Sequence, residues 1–238
     1  MSAFFYGVVL QWKLDLRNKG VLLTYYVVPL AFFAFMGGIF SSINPASKDT
    51  LIQSMTVFGL TMGTILGAPI PLTELYGSEI KKAYKVGGLP LWVATINNFI
   101  SAFVHLFIVS LVIFFIAPLA FNAKIPTNLA HHFLSLAIFI IVSLSVGTVL
   151  GLFIKDISKL TMASQFIFLP SIMLAGIMFP VDMLPKVLEN VGKIFPATWG
   201  YKLMTSESFD IKLIIPLAII LFIAMIISVY KLSKISFE

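Results

Sequence analysis

The chain contains no cysteine, which excludes disulfides and thiolate metal sites outright. Charge is also scarce. Only 11% of residues are charged, where a soluble domain carries about 25%. No G-x-x-x-x-G-K-[ST] occurs, so the chain has no P-loop with which to hold ATP. H-E-x-x-H, G-x-S-x-G and paired carboxylates are missing too, which leaves hydrolytic catalysis without support. His105, His131 and His132 make no spaced metal motif. There is no internal repeat, low-complexity stretch or Gly/Ser linker. No basic residue precedes the first apolar stretch, so residues 1–19 do not read as a signal peptide.

Long apolar runs are what the chain does have, with 59% of its residues hydrophobic. Six runs have the ~20-residue length that crosses a bilayer as a helix: 21–40, 51–72, 91–119, 129–154, 160–179 and 211–230. The expected fold is therefore all-α, a polytopic membrane protein with six transmembrane helices. In such a chain the net charge of +6 speaks of orientation rather than nucleic-acid affinity. Ten lysines and arginines fall on the side of the two termini against six on the other, which puts both termini in the cytoplasm.

Ahead of the first run, Phe5, Val8, Val9, Trp12 and Leu16 share one helical face, with Gln11, Lys13, Asp15 and Arg17 elsewhere. This predicts an amphipathic helix over 1–19 lying on the membrane interface. The ten acidic residues all fall outside the predicted span interiors, which argues against an ion-coupled secondary carrier. His105 is the one ionisable residue at depth and reads as a neutral, hydrogen-bonded packing residue rather than a proton carrier. In the second span Gly59, Gly63 and Gly67 make a small-residue stripe for close helix packing, and Pro69 and Pro71 loosen its end. Polar residues inside spans include Gln53, Thr56, Thr61 and Thr64 in the second, Asn97 and Asn98 in the third, and Thr161, Ser164, Gln165 and Ser171 in the fifth. They suit either interhelical hydrogen bonds or a weakly polar pathway. The last span has almost none and should be peripheral.

Two further stretches stand out. Residues 74–90 are the densest charged segment, with Glu74 and Glu79 ahead of Lys81, Lys82 and Lys85. Residues 174–201 read LAGIMFPVDMLPKVLENVGKIFPATWGY and break at Phe179-Pro180. After the break Leu184, Val187, Leu188, Val191, Ile194 and Phe195 recur at helical spacing. Asp182 is expected to cap this helix, Pro185 to sit in its first turn and Pro196 to stop it. About a dozen residues cannot cross a bilayer, which takes ~20, so the element should lie in the surface or re-enter it, with Trp199 and Tyr201 at headgroup level.

This second stretch carries a resemblance. A small-residue helix end at Gly176, then G-I-x-F-P-x-x-x-L-P through Phe179, Pro180 and Pro185, and a further proline, Pro196, beside aromatics resemble the last extracellular hairpin of ABC-2 type permeases. These are the membrane subunits of bacterial ABC exporters. Y-G-S-E-I-K-K-A-Y-K followed by Leu89-Pro90 resembles the coupling segment of the same family. The loop of ABC importer permeases fits less well: Gly77, Leu89 and Pro90 match it, but Pro71 stands where its Glu should be.

The resemblance covers nearly the whole chain. It implies one domain over 1–238, with an interface helix at 1–19, a cytoplasmic coupling segment at 74–90 and an extracellular re-entrant hairpin at 178–202. It assigns ATPase coupling to Glu74, Glu79, Ile80, Lys81, Lys82 and Tyr84. It assigns the translocation pathway to the second and fifth spans, hence to Gln53, Thr56, Thr61, Thr64, Thr161, Ser164, Gln165 and Ser171. The implied protein is not an enzyme and carries no cofactor or metal. ATP and Mg would sit on two cytoplasmic ATPase subunits. A second permease, identical or a sister chain, completes the pathway in a bacterial plasma membrane, and nucleic acid is not a partner. The implied cargo is amphipathic: a peptide or bacteriocin, a drug, or a lipid-linked molecule. A non-transporting scaffold or immunity protein, and a channel or secondary carrier, are the alternatives.

Overall fold

A computed structural model describes the backbone of residues 3–43, 45–88 and 90–237. The side chain of Lys82, and Leu89 altogether, lie outside the described residues. The described residues are helical or irregular and contain no strand. Six helices are long and apolar enough to cross a membrane: Lys19–Ser42, Leu51–Gly77, Leu91–Phe121, Leu129–Phe153, Ile157–Leu174 and Ile211–Ile235, called spans one to six below. The all-α, six-span expectation holds.

The second span is the axis of the bundle. In its most apolar stretch 83% of residues are buried, against 11% in span six, which is peripheral as expected. Spans one, three, four and five and the outer hairpin all pack on it. Two prolines shape the centre. Pro29 and Pro69 lack an amide hydrogen, and each ring would clash with the carbonyl four residues back. The chain widens just ahead of both, into π-helical turns at Leu23–Val27 and Gly63–Gly67. The two turns lie side by side. A Cβ on Gly67 would meet Tyr25 and Thr24, one on Gly63 would meet the tip of Leu106, and one on Gly59 would stand 3.3 Å from Pro29.

The closest backbone approach lies elsewhere, on span four. A Cβ on Gly147 would fall on the carbonyl oxygen of Thr64, and one on Gly151 would come within 2.8 Å of the Pro69 oxygen. This G-x-x-x-G pair lets span four lie directly against the widened part of span two. Caps finish the helices. The Asn18 side chain accepts from the amides of Gly20 and Val21, Asn128 caps span four and Asp156 caps span five. Asn122 ends span three in the left-handed region at φ 55°.

The N-terminal helix, Ala3–Arg17, turns its Asp15 side rather than its Phe5 side to the bundle, and in the hairpin the expected helix ends are corrected. Phe5, Val9 and Leu16 are exposed, whereas Asp15 is buried, only 2% exposed. Inside a bilayer the surroundings are apolar, so polar side chains gain by turning toward protein and apolar ones need not. In the outer hairpin, Asp182 caps nothing but sits in a 3-10 turn, Val181–Met183. Pro185 precedes a short helix, Lys186–Gly192, and Pro196 begins a further helix, Pro196–Thr205, instead of only ending the one before. Proline at a first helical position lacks only an amide that would be unpaired anyway.

Candidate functional site

Residues 74–90 leave the bundle from a root fixed by buried hydrogen bonds. Thr73 Oγ1 donates to the carbonyl of Ile154 at 2.9 Å. The Tyr76 hydroxyl bonds the carbonyl of Leu91 at 2.8 Å and Thr95 Oγ1 at 2.7 Å. A Cβ on Gly77 would strike the carbonyl oxygen of Lys155, so only glycine permits this approach. The end of span two, the turn between spans four and five and the start of span three thus form one joint. Around it pack Leu72, Tyr76, Leu91, Leu152 and Ile235, with Tyr84 against them. Beyond the joint runs the helix Ile80–Val86, whose first amide is held by Ser78 Oγ at 3.3 Å. Glu74 and Glu79 are exposed and Lys81 is half-buried. Ile80 and Val86 are exposed as well, the latter 90%. Apolar side chains thus stand out among charged ones on this segment. Tyr76 and Gly77 open the stretch Y-G-S-E-I-K-K-A-Y-K singled out in the sequence, but their part in fixing it, and that of Thr73, carried no signal there.

The expected pathway residues divide into two sets. Gln53, Thr56, Thr61, Thr64, Ser164 and Ser171 are buried within this one chain. Thr61, Thr64 and Ser171 donate to carbonyls of their own helices, at 2.7, 2.8 and 2.6 Å. Among the described residues the Gln53 amide oxygen, Thr56 Oγ1, Ser143 Oγ and Ser164 Oγ have no hydrogen-bond partner. Thr61, Ser143 and Ser171 line a cavity of about 260 Å³ together with Ile194, Phe195, Pro196 and Ala197 of the hairpin. Thr161 and Gln165 belong to the second set and are exposed. With Met162, Phe166, Leu169 and Met173 they form an uncovered stripe along span five.

Above the cavity, Gly176 makes the sharp turn at φ 86°, where a side chain would be strained and would press on Val181. Phe179 and Pro180 are exposed at the bend. The helix Pro196–Thr205 dips back against spans two, four and six. Thr198 Oγ1 donates to Gly192 O at 2.6 Å, the Trp199 indole to Lys193 O at 2.7 Å, and Ser54 Oγ to the Tyr201 hydroxyl at 3.4 Å. Gly200 lies flat on the Phe139 ring. On the exposed side of the hairpin Glu189 pairs with Lys193 at 2.9 Å, and that hydrogen bond holds its carboxyl below the usual range.

One cluster was not foreseen. Asp15 accepts from Gln11 Nε2 at 2.9 Å and from Ser101 Oγ at 2.6 Å, and its Oδ2 lies 4.0 Å from His105 Nε2. Burial raises the Asp15 carboxyl above its usual range, against the lowering effect of those two hydrogen bonds. No group of His, Asp or Glu among the described residues is arranged to hold a metal ion.

Comparison with curated proteins gives no match. The family model for ABC-2 type transporters matches residues 3–209, which take in the N-terminal helix, five of the spans, the rooted loop at 74–90 and the outer hairpin. A bundle centred on span two, a jointed loop and a re-entering outer helix are thus the form taken here by a chain that belongs to the ABC-2 type transporter family, the membrane component of ABC transporters.

Proposed function

We propose that this chain is the permease subunit of an ATP-driven exporter. It pairs with a second permease, docks two cytoplasmic ATPase subunits through residues 74–90, and moves an amphipathic cargo outward beneath the hairpin. Lysine and arginine distribution supports cytoplasmic termini; the bacterial plasma membrane follows the family resemblance.

The observation that carries the reading is the exposed stripe on span five. Gln165 stands well inside the span with its amide uncovered by this chain, which is costly against lipid. A second permease, or a cavity shared with it, removes that cost. Thr161 lies on the same stripe, and the cavity behind it carries three hydroxyls, from Thr61, Ser143 and Ser171. Weakly polar walls of this kind suit a cargo that is neither fully lipid-like nor charged. At the other end, ATPase closure would push on Ile80–Val86, and the Tyr76–Leu91 hydrogen bond would carry the push into spans two and three.

The test is co-purification of the permease with its ATPase, together with ATP turnover of the assembled complex. Glu79→Lys and Ile80→Asp are expected to leave the permease folded and inserted while weakening capture of the ATPase. Normal capture and normal turnover by both well-expressed variants would refute the docking assignment.

A further inference from the structure

The Asp15 cluster has no part in the reading above. It joins three elements. The N-terminal helix contributes Gln11, Trp12 and Asp15; span one contributes Tyr25 and Tyr26; span three contributes Ser101 and His105. Asp15 and His105 are 2% and 1% exposed. The Tyr26 hydroxyl bonds His105 Nδ1 at 2.6 Å, Trp12 stacks on the imidazole at 5.7 Å, and Tyr25 covers it at 5.5 Å. Among the described residues the titratable groups facing Asp15 are His105, Tyr25 and Tyr26, and the tyrosines are uncharged at neutral pH. Among the described residues no lysine or arginine nitrogen lies within ion-pair distance of the carboxylate.

An ionised carboxylate in such surroundings is expensive, and two neutral donors offset only part of the cost. A proton has two seats here, Asp15 Oδ2 and His105 Nε2, which face each other across 4.0 Å. Among the described residues Nε2 has no hydrogen-bond partner. A proton on Asp15 cancels the net negative charge of the cluster; one on Nε2 does so only while Nδ1 keeps its own hydrogen, donated to the Tyr26 oxygen.

We propose that Asp15, Gln11, Ser101 and His105 form a proton-bearing clasp that seats the N-terminal helix on span three, and that Asp15 is a positioning residue for the transport cycle. The proton holds the helix down; its loss leaves a bare buried charge and releases the helix. Span three begins at Leu91, directly beyond residues 74–90, and its first carbonyl is held by Tyr76. A seated helix consequently moves with the joint that the ATPases push, and a released one does not. This last link rests on the proposed docking role of 74–90; the clasp itself does not.

The sign follows from burial. A carboxyl raised on folding favours the folded arrangement at low pH and ceases to do so as pH climbs through its raised value. The clasp thus tightens as pH falls.

Trp12 provides the probe, because it lies on the imidazole. With Trp92→Phe and Trp199→Phe it is the one tryptophan left of the three. Its emission is recorded on the permease alone, in nanodiscs, from about pH 5 to about pH 9, an interval bracketing histidine and a carboxyl raised by burial. The expected result is a single transition that Asp15→Asn abolishes, leaving the emission at the low-pH form throughout, since asparagine mimics the protonated acid. In the complex with ATPase, Asp15→Asn keeps ATP-driven turnover. Asp15→Ala lowers it by at least about fivefold, the lower end of ordinary coupling effects. A flat wild-type emission, a transition that survives Asp15→Asn, or an Asp15→Asn variant as impaired as Asp15→Ala would overturn the clasp. If the emission behaves as expected and turnover is indifferent to both variants, the clasp stands as a seat for the helix but its role in the cycle is refuted. The emission arm needs no ATPase, so failure of the docking reading leaves it intact.

Discussion

Span four against span two is where the smallest change should do the most damage. A methyl on Gly147 falls on the carbonyl oxygen of Thr64, a backbone atom in the π-helical turn that cannot swing aside. Overpacking costs about 1–3 kcal/mol, and a backbone obstacle belongs at the upper end. Replacing glycine by alanine in a helix returns about 0.5–1 kcal/mol. The net for Gly147→Ala is a loss of ~2 kcal/mol, or roughly 4–8 °C of unfolding temperature at this chain length. Gly63→Ala is the control. Its methyl meets only the tip of Leu106, which can rotate for about 0.5–1.5 kcal/mol, so the two terms nearly cancel. Purified variants in nanodiscs, heated and followed by tryptophan emission, give the comparison directly. If Gly147→Ala unfolds with the wild type, or Gly63→Ala falls as far, backbone contact between these spans is not what holds the centre of the bundle.

Other outcomes follow from the same coordinates. Tyr76→Phe strands the Leu91 carbonyl and Thr95 and should cost about 1–2 kcal/mol, lowering the unfolding temperature by a few degrees while leaving insertion unchanged. Because the chain has no cysteine, Glu189→Cys and Lys81→Cys can each be tested alone; impermeant reagent on intact cells should label 189 and spare 81, and the reverse pattern would invert the topology. Gln165→Cys should crosslink to a second permease under mild oxidation, whereas Met225→Cys on the peripheral span six should not; equal crosslinking of both would remove span five from the subunit interface.

The spans were legible because a bilayer demands a fixed length of apolar helix, and nothing else in a chain imitates that signal. The bend at Phe179-Pro180 was legible for a similar reason, since proline and a small-residue helix end interrupt the apolar run. Gly147 and Gly151 form a G-x-x-x-G pair as visible in the sequence as the longer glycine series of span two. What separates the two is the neighbour, backbone in one case and a rotatable side chain in the other, and the neighbour is a property of the folded bundle.

The inner side of the N-terminal helix was illegible for a more instructive reason. The helical wheel of Ala3–Arg17 separates an apolar side from a polar one, and that separation alone does not say which side meets protein. Phe5 and Leu16 are exposed, and the buried side holds Asp15, with Gln11 and Trp12 beside it. In a membrane protein the apolar effect no longer selects the inner face, because lipid and protein interior are alike apolar. Selection passes to hydrogen bonds, and the face with most to lose in lipid is the one that turns inward. The same rule reads the rest of the molecule. Span six, with hardly a polar side chain, lies outermost; span two, with Gln53, Thr56, Thr61 and Thr64, lies at the centre. Gln165 breaks the rule within this chain, and a face that breaks it is one the chain alone does not complete.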